Sequence, residues 1–315
     1  MNKLNSRLFG RNNNLTIIKY GKKYSIKKSY AKNHITKFSR AHTEFFFVKK
    51  LLESKIDNVP KIKDYNLKKN YIIFEKVEGK KIIDVKKEDL LECLKFLKSL
   101  NQKKIKKKFY NFQYASDNCQ SYKDHVECVQ KRIMGLIRIR SKNSNAQNVK
   151  KFIIKNLLKS FNVLKKKLLI SISQKEYKKK MDFKQLILSP SDFGFHNIIK
   201  NKKKLYFLDF EYSGFDDPLK LLSDFLCNPD YKITENNKKF FKKRFLKLFY
   251  YENIEKKFDL IFGFHQLKWC TMLLNDIVSK KYQKRRQFVG GDQKNINYKK
   301  KFYAAKKYYF NLSKF

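Results

Sequence analysis

The chain is poor in glycine and proline, and this shortage narrows its fold. Its 315 residues include only 9 glycines and 4 prolines. Turn-rich all-β folds and long flexible linkers use both residues more freely. Hydrophobic residues nevertheless make up 42% of the chain and aromatic residues 16%, which is enough to build a sizeable core. We therefore expect a globular protein with one large domain or two smaller ones.

Cysteine pairs and long apolar runs are also missing. None of the five cysteines stands in a C-x-x-C pair, so the sequence predicts neither a disulfide framework nor a zinc site. No stretch approaches the roughly 20 apolar residues that a spanning helix needs. The first residues lead into no apolar signal region. We expect a soluble, cytoplasmic protein without membrane insertion.

Acidic residues are scarce, with 28 Asp and Glu against 75 Lys and Arg and a formal net charge of +47. Such a charge is typical of proteins that bind nucleic acids or anionic membranes. The basic residues, however, form short clusters along the whole chain, and A/T-rich codons encode the abundant Lys, Asn, Ile, Phe and Tyr. We interpret the charge as compositional bias and expect no nucleic acid partner. A catalytically idle nucleotide-binding or RNA-binding protein that uses this surface stays open as the alternative.

The order of predicted elements divides the chain into two parts. Residues 1–30 favour strand, turn and strand, and a helix is predicted from about Thr36 to Ser54. A buried strand follows at Tyr71–Phe74, and a Gly-ended connector follows at Val77–Gly79. Apolar residues at helical spacing then dominate. This pattern predicts an α+β protein with a small β-rich part at residues 1–79 and a larger, mostly helical part at residues 80–315.

One stretch carries most of the chemistry, from Leu188 to Asp224. Asp192 follows a short apolar strand, Asn197 comes five residues later, and Asp209 ends a second apolar strand. A carboxylate at the first position can accept the proton of a hydroxyl group, and the other two side chains offer oxygen ligands to Mg²⁺. The alternative is that Asp192 and Asn197 cap a helix and Asp209 lies in a turn. We favour a site of Mg²⁺-dependent phosphoryl transfer.

The same stretch resembles the catalytic core of the aminoglycoside phosphotransferase/choline kinase-like superfamily. The matching motifs are P-S-D-F-G-F-H-N and, further on, L-Y-F-L-D-F-E-Y-S-G-F-D-D-P. The resemblance implies a protein-kinase-like bilobal fold, with ATP and Mg²⁺ as cofactors. It implies that Asp192 is the catalytic base and that Asn197 and Asp209 are metal ligands. It also implies that Asp224 supports the catalytic loop.

The resemblance extends into the first 79 residues, where it implies a nucleotide-binding lobe. Lys27 in Y-S-I-K matches the phosphate-binding lysine, with Lys28 as its rival, and Glu44 is placed to be the partner of that lysine. Residues 10–13 match the turn that covers the phosphates, although the local sequence alone favours an ordinary hairpin turn. Residues 75–77 match the hinge that grips adenine. The implied nucleotide-binding residues are thus Gly10, Arg11, Asn12, Asn13, Lys27, Glu44, Glu75 and Val77.

The chain also departs from the family pattern. Pro190 stands where the family has a histidine, and the N-terminal turn lacks G-x-G-x-x-G, which favours a small-molecule kinase over a protein kinase. Residues 267–276, together with Arg285 and Arg286, resemble one subgroup of bacterial phosphotransferases. His196 could be catalytic, but we interpret it as a loop-packing residue. Glu211 could assist a metal ion or the substrate, but we interpret it as an ordinary polar contact, and we interpret Trp269 as a core residue. The expected function is an ATP- and Mg²⁺-dependent kinase that acts on a hydroxyl of a small metabolite, such as a sugar or an amino alcohol.

Overall fold

A five-stranded antiparallel sheet forms the first part of the protein. The computed structural model describes residues 7–9, 13–31, 38–138, 144–278 and 298–312. The strands lie in the order β1-β2-β3-β5-β4. Their bounds are Arg7–Phe9 for β1, Asn13–Tyr20 for β2, Lys23–Tyr30 for β3, Ile62–Asn66 for β4 and Tyr71–Glu75 for β5.

Helix α1 (Arg40–Glu53) packs against this sheet. Its first turn is capped by the Ser39 hydroxyl, which accepts a hydrogen bond from the backbone N–H of His42. Phe47, Val48 and Leu51 are fully buried on its inner side. The helix was predicted from this apolar spacing. Polar residues on the same inner side are buried as well, and they therefore need partners inside the protein.

The chain leaves the first sheet after β5 and enters a second one. Strand β6 (Lys80–Lys81) pairs with β8 (Ile198–Asn201), which forms a hairpin with β9 (Lys204–Phe207). Gly79 permits this close approach, because a Cβ atom there would lie 2.4 Å from the carbonyl oxygen of Lys200 and its φ is +143°. The division into lobes at residue 79 stays a prediction.

Helices dominate the rest of the chain. They are α2 (Lys87–Leu100), α3 (Lys103–Lys108), α4 (Tyr122–Ile137), α5 (Ser144–Phe152), α6 (Lys159–Ser171), α7 (Gln174–Lys178), α8 (Pro218–Cys227), α9 (Glu235–Leu248), α10 (Ile254–Val278) and α11 (Tyr298–Phe310). A π-helical segment, Ile153–Leu158, joins α5 to α6. Helix α10 packs against α4, α8 and α11 and so lies at the centre of this part.

The predicted central stretch lies between these helices and the first sheet. Strand β7 (Ile187–Ser189) pairs with β10 (Gly214–Asp216), and a loop with a short 3₁₀ turn at Phe195–Asn197 connects β7 to β8. Phe193 of this loop stacks on Phe207 at 5.7 Å between ring centroids, and Phe207 stacks on Phe96 of α2 at 3.9 Å. These aromatic contacts anchor the loop on the helical core.

The predicted α+β fold, with a β-rich first part and a helical second part, is confirmed. Across the described ranges, no helix combines the length and the apolar character that a membrane span requires.

Candidate active site

Lys28 lies at the centre of a buried charged cluster between β3, α1 and the segment after β9. Its Nζ donates to Glu44 Oε2 at 2.6 Å and to Asp209 Oδ1 at 2.7 Å. The Tyr30 hydroxyl donates to the same Glu44 oxygen at 2.7 Å. Burial alone lowers the pKa of Lys28, but the charges of Asp209 and Glu44 outweigh burial and hold this pKa above its ordinary value. Lys28 therefore stays protonated and joins the first sheet to the central stretch.

Lys27 lies away from this cluster, so the predicted pairing of Lys27 with Glu44 is wrong. Its Nζ lies 4.2 Å from the centroid of the Tyr71 ring. Successive side chains of a strand point to opposite faces, and Lys28 therefore shares its face with Tyr30 while Lys27 does not. The rival lysine, Lys28, takes the place beside Glu44.

Three carboxylates converge on one point of the cluster. One oxygen from each of Glu44, Asp209 and Glu211 lies within 4.8 Å of the other two. Asn13 Nδ2 donates to Glu211 Oε2 at 2.8 Å, and the Arg40 guanidinium donates to Oε1 at 3.2 Å. Burial, together with the charge of Asp209, raises the pKa of Glu211 to about 7. Glu211 was predicted to make an ordinary polar contact, but the structure places it inside the cluster.

Asn197 and Asp209 lie at the same end of the β8–β9 hairpin. The backbone N–H of Leu208 donates to the carbonyl of Asn197 at 2.9 Å, which holds the two segments side by side. Asp209 has a φ of +68°, a left-handed conformation that Asp tolerates better than most residues. The amide nitrogen of Asn197 donates to the backbone oxygen of Asp192 at 3.0 Å, so its Oδ1 is the remaining acceptor. A carboxylate and an amide oxygen form a donor set that fits Mg²⁺.

Asp192 lies in the same loop and reaches solvent. Its side chain is 35% exposed, and His196 Nε2 lies 3.0 Å from its Oδ1. Burial alone raises the pKa of Asp192, but the contacts of its carboxylate with His196 and Asn197 together outweigh burial and hold this pKa below its ordinary value. Asp192 is therefore ionised at neutral pH, as an acceptor for a hydroxyl proton must be.

Asp224, the predicted support of the catalytic loop, makes its hydrogen bonds to α10. Lys268 Nζ donates to its two oxygens at 2.9 and 2.7 Å, and the Trp269 indole N–H donates at 3.0 Å. Burial alone raises the pKa of Asp224, but the charge of Lys268 and the contacts with His265 together outweigh burial and hold this pKa well below its ordinary value. Trp269 is buried, as predicted, and it also fixes this carboxylate.

The remaining predicted residues lie elsewhere or cannot be placed. Glu75 ends β5 opposite Ser25, and Val77 lies in the connection that leaves the first sheet. Their contact with adenine stays a prediction. Outside the described residues lie Gly10, Arg11, Asn12, Arg285 and Arg286.

Two residues of the cluster were not predicted, although the sequence contains a signal for each. Tyr30 stands two residues after Lys28 and so shares its face. Arg40 is the first residue of α1, and the helix dipole disfavours a cation at this end of a helix. An arginine at this position therefore indicates a specific anionic partner. Arg40 finds that partner in Glu211. The identity of the partner, 171 residues further along the chain, has no local signal.

Comparison with solved structures found similar folds, whereas no protein-family model and no curated protein sequence matches the chain. The chain is similar to the choline kinase LicA from Streptococcus pneumoniae, with 15% identity, a TM-score of 0.54 and coverage of 96% of this chain and 90% of that one. It is similar to an ethanolamine kinase from Plasmodium vivax, with 15% identity, a TM-score of 0.53 and coverage of 95% and 81%.

A third similar structure is an AMP-bound complex of a spectinomycin phosphotransferase, with 12% identity, a TM-score of 0.58 and coverage of 98% of this chain and 94% of that one. At these identities the comparison concerns the fold. These neighbours share the fold of the chain, and the predicted kinase-like fold is thereby confirmed.

Proposed function

We propose that the protein is an ATP- and Mg²⁺-dependent phosphotransferase that phosphorylates a hydroxyl of a small metabolite. One observation carries the proposal: Lys28 from the first sheet contacts Asp209, which lies beside Asn197, whose side chain in turn contacts the loop of Asp192. A lysine for phosphates, oxygen ligands for a metal ion and an exposed carboxylate for a hydroxyl are the parts that phosphoryl transfer uses. Their convergence favours a kinase over an idle nucleotide-binding protein.

Each residue has a role in this proposal. Asp192 accepts a hydrogen bond from the acceptor hydroxyl and aligns its oxygen for attack. Lys28, held by Glu44, binds phosphate oxygens of the nucleotide. Tyr30 bonds the same oxygen of Glu44 and thereby fixes the carboxylate that orients the lysine. Arg40 and Asn13 hold Glu211 beside this group.

Asn197 Oδ1 and the carboxylate of Asp209 would hold the metal ion. Because Lys28 bonds Oδ1 of Asp209, its Oδ2 is the oxygen left for a cation. Held by Asn197 and Asp209, Mg²⁺ would supply positive charge to offset the negative charge of the phosphates. Two features hold these ligands in place without a nucleotide. They are the left-handed backbone at Asp209 and the hydrogen bond from the side-chain amide of Asn197 to the backbone oxygen of Asp192.

The names of the structural neighbours supply a first panel of acceptors. The three neighbours that share this fold are named after choline, ethanolamine and spectinomycin. We therefore propose an acceptor with a hydroxyl group. The compounds of this first panel also carry an amino or a quaternary ammonium group. Sugars form the second panel.

The test measures Mg·ATP-dependent release of ADP with each acceptor. Asp192→Asn is expected to lower kcat by about 10² to 10⁴-fold, the usual contribution of a positioned acid–base group. Asp209→Asn and removal of Mg²⁺ with a chelator should also abolish most turnover. Asp259→Asn on α10 is the matched control, since that side chain is 68% exposed and pairs with a lysine at the surface. Undiminished rates in both site variants would refute the assignment.

A further inference from the structure

A series of hydrogen bonds joins the backbone N–H of Asp230, the side chains of Asn228 and His196, and the carboxylate of Asp192. The N–H of Asp230 determines which atom donates at each step. The N–H of Asp230 donates to Oδ1 of Asn228 at 2.9 Å. A backbone N–H group is only a donor, so the oxygen of the Asn228 amide must face it. The amide nitrogen of Asn228 therefore faces Nδ1 of His196, at 3.1 Å.

This orientation selects the tautomer of His196. The amide nitrogen is also only a donor, so Nδ1 of His196 must accept and carries no proton. The proton of the neutral ring then lies on Nε2, which donates to Asp192 Oδ1 at 3.0 Å. The acceptor hydroxyl is then expected at the other carboxylate oxygen of Asp192, Oδ2.

Packing holds the His196 ring in this position. The Tyr231 ring lies nearly parallel to it, at 7° and 6.1 Å between centroids, and the Tyr231 hydroxyl donates to the carbonyl of Phe225 at 2.7 Å. A Cβ atom on Gly194 would lie 2.7 Å from the Tyr231 oxygen and 2.9 Å from Nδ1 of His196. Only glycine at this position lets the loop approach both rings so closely.

We propose that His196 is a positioning residue for Asp192 and that Asn228 sets its tautomer, an inference that rests on the proposed function. His196 holds one carboxylate oxygen so that the other is aligned on the hydroxyl. Pro190, the residue two positions before Asp192, can do neither, because its side chain has no donor and its backbone has no N–H. In this loop the side chain that contacts Asp192 Oδ1 stands four positions after it.

The first experiment reads the tautomer without any turnover. In the metal-free protein, the nitrogen chemical shifts of His196 are measured by two-dimensional NMR at neutral pH, with His42 as an internal reference. We expect a protonated Nε2 and an unprotonated Nδ1. Asn228→Asp replaces the donor beside Nδ1 with an acceptor and should bring a proton onto Nδ1. A wild-type His196 with its proton on Nδ1 would overturn the inference.

The second experiment separates positioning from packing by conservative replacement. His196→Leu should lower kcat by about 10 to 100-fold, as expected for a misplaced catalytic group, with little change in KM for ATP. The amide nitrogen of His196→Gln reaches the place of Nε2 and should restore most of that loss. His196→Asn carries the same amide on a shorter chain and should not. Thermal unfolding checks that all three variants fold.

Three outcomes are decisive. Equal rates in the Leu, Asn and Gln variants would show that His196 only packs the loop and would overturn the inference. Rescue by Gln alone supports it. A wild-type protein that turns over no acceptor would overturn the proposed function, and the positioning role with it, while the NMR result would still show whether Asn228 orients the ring.

Discussion

Replacing Lys28 with methionine tests the central contact of the candidate site. The substitution keeps an unbranched side chain of similar length in β3 and removes the ammonium group. Glu44 then loses the bond of 2.6 Å and Asp209 loses the bond of 2.7 Å that the lysine provides. Lys27→Met is the matched control, because it removes the same group one residue earlier on the other face of the strand.

The expected magnitude follows from burial. The side chain of Glu44 is 2% exposed, and removal of one partner from a buried ion pair costs about 3–5 kcal/mol. The side chain of Asp209 is 26% exposed, and its pair with Lys28 adds at most about 1 kcal/mol. Lys28→Met should therefore lower the free energy of unfolding by about 3–5 kcal/mol. Lys27→Met should cost no more than about 1 kcal/mol, the contribution of its contact with Tyr71.

Urea unfolding and ATP turnover are measured on the same preparations. Combining Lys28→Met with Glu44→Gln removes the unpaired buried charge, so the double variant should regain at least half of the lost stability. Its turnover should stay about 10² to 10³-fold below wild type, because the group that binds the phosphates is still missing. The reasoning is refuted if Lys27→Met loses as much turnover as Lys28→Met, or if Lys28→Met is as stable as wild type.

Two further predictions concern stability. Burial lowers the pKa of His265 from its ordinary 6.5 to about 4, so between these values the unfolded chain binds more protons than the folded protein. His265 should therefore contribute a loss of about 3 kcal/mol as the pH drops from 6.5 to 4, and urea unfolding at several pH values should show that His265→Gln lacks this contribution. Gly79→Ala should cost about 2–4 kcal/mol through the clash with the Lys200 backbone and the positive φ. Gly135→Ala in α4, where a Cβ atom meets nothing within 4 Å, should be neutral or stabilising by up to about 1 kcal/mol, and an equal loss in both variants would contradict this explanation.

The proximity of the candidate residues in the central stretch could be predicted from the sequence because they are close in the chain. Asp192 and Asn197 belong to one loop, and Asp209 follows within a single hairpin, so local spacing already brings them together. The contacts of this stretch with the first sheet are of another kind. Lys28 and Asp209 are 181 residues apart, and no local pattern indicates which of two adjacent lysines faces that aspartate.

The error at Lys27 has a physical reason that the strand itself contains. Motif matching compares positions along the chain, whereas a strand presents alternate residues to one face. In β3, Ile26 and Tyr30 form the more apolar side together with Lys28, while Ser25 and Ser29 accompany Lys27. Weighing this alternation above the motif would have selected Lys28. The Arg40–Glu211 pair, in contrast, depends on how α1 packs on the sheet, which the periodicity of the helix does not determine.

The balance of charge at the candidate site argues for a nucleotide with its metal ion over RNA. The chain carries a net charge of +47, yet the described cluster contains three carboxylates, Glu44, Asp209 and Glu211, against the two cations Lys28 and Arg40. Both cations pair with carboxylates, so the cluster has no excess of positive charge, whereas RNA binding relies on such an excess to neutralise many phosphates. A site with an excess of buried carboxylates needs a further cation to receive a polyphosphate. Mg²⁺ on Asp209 and Asn197 supplies it, and for this reason the basic surface and the candidate site are best explained separately.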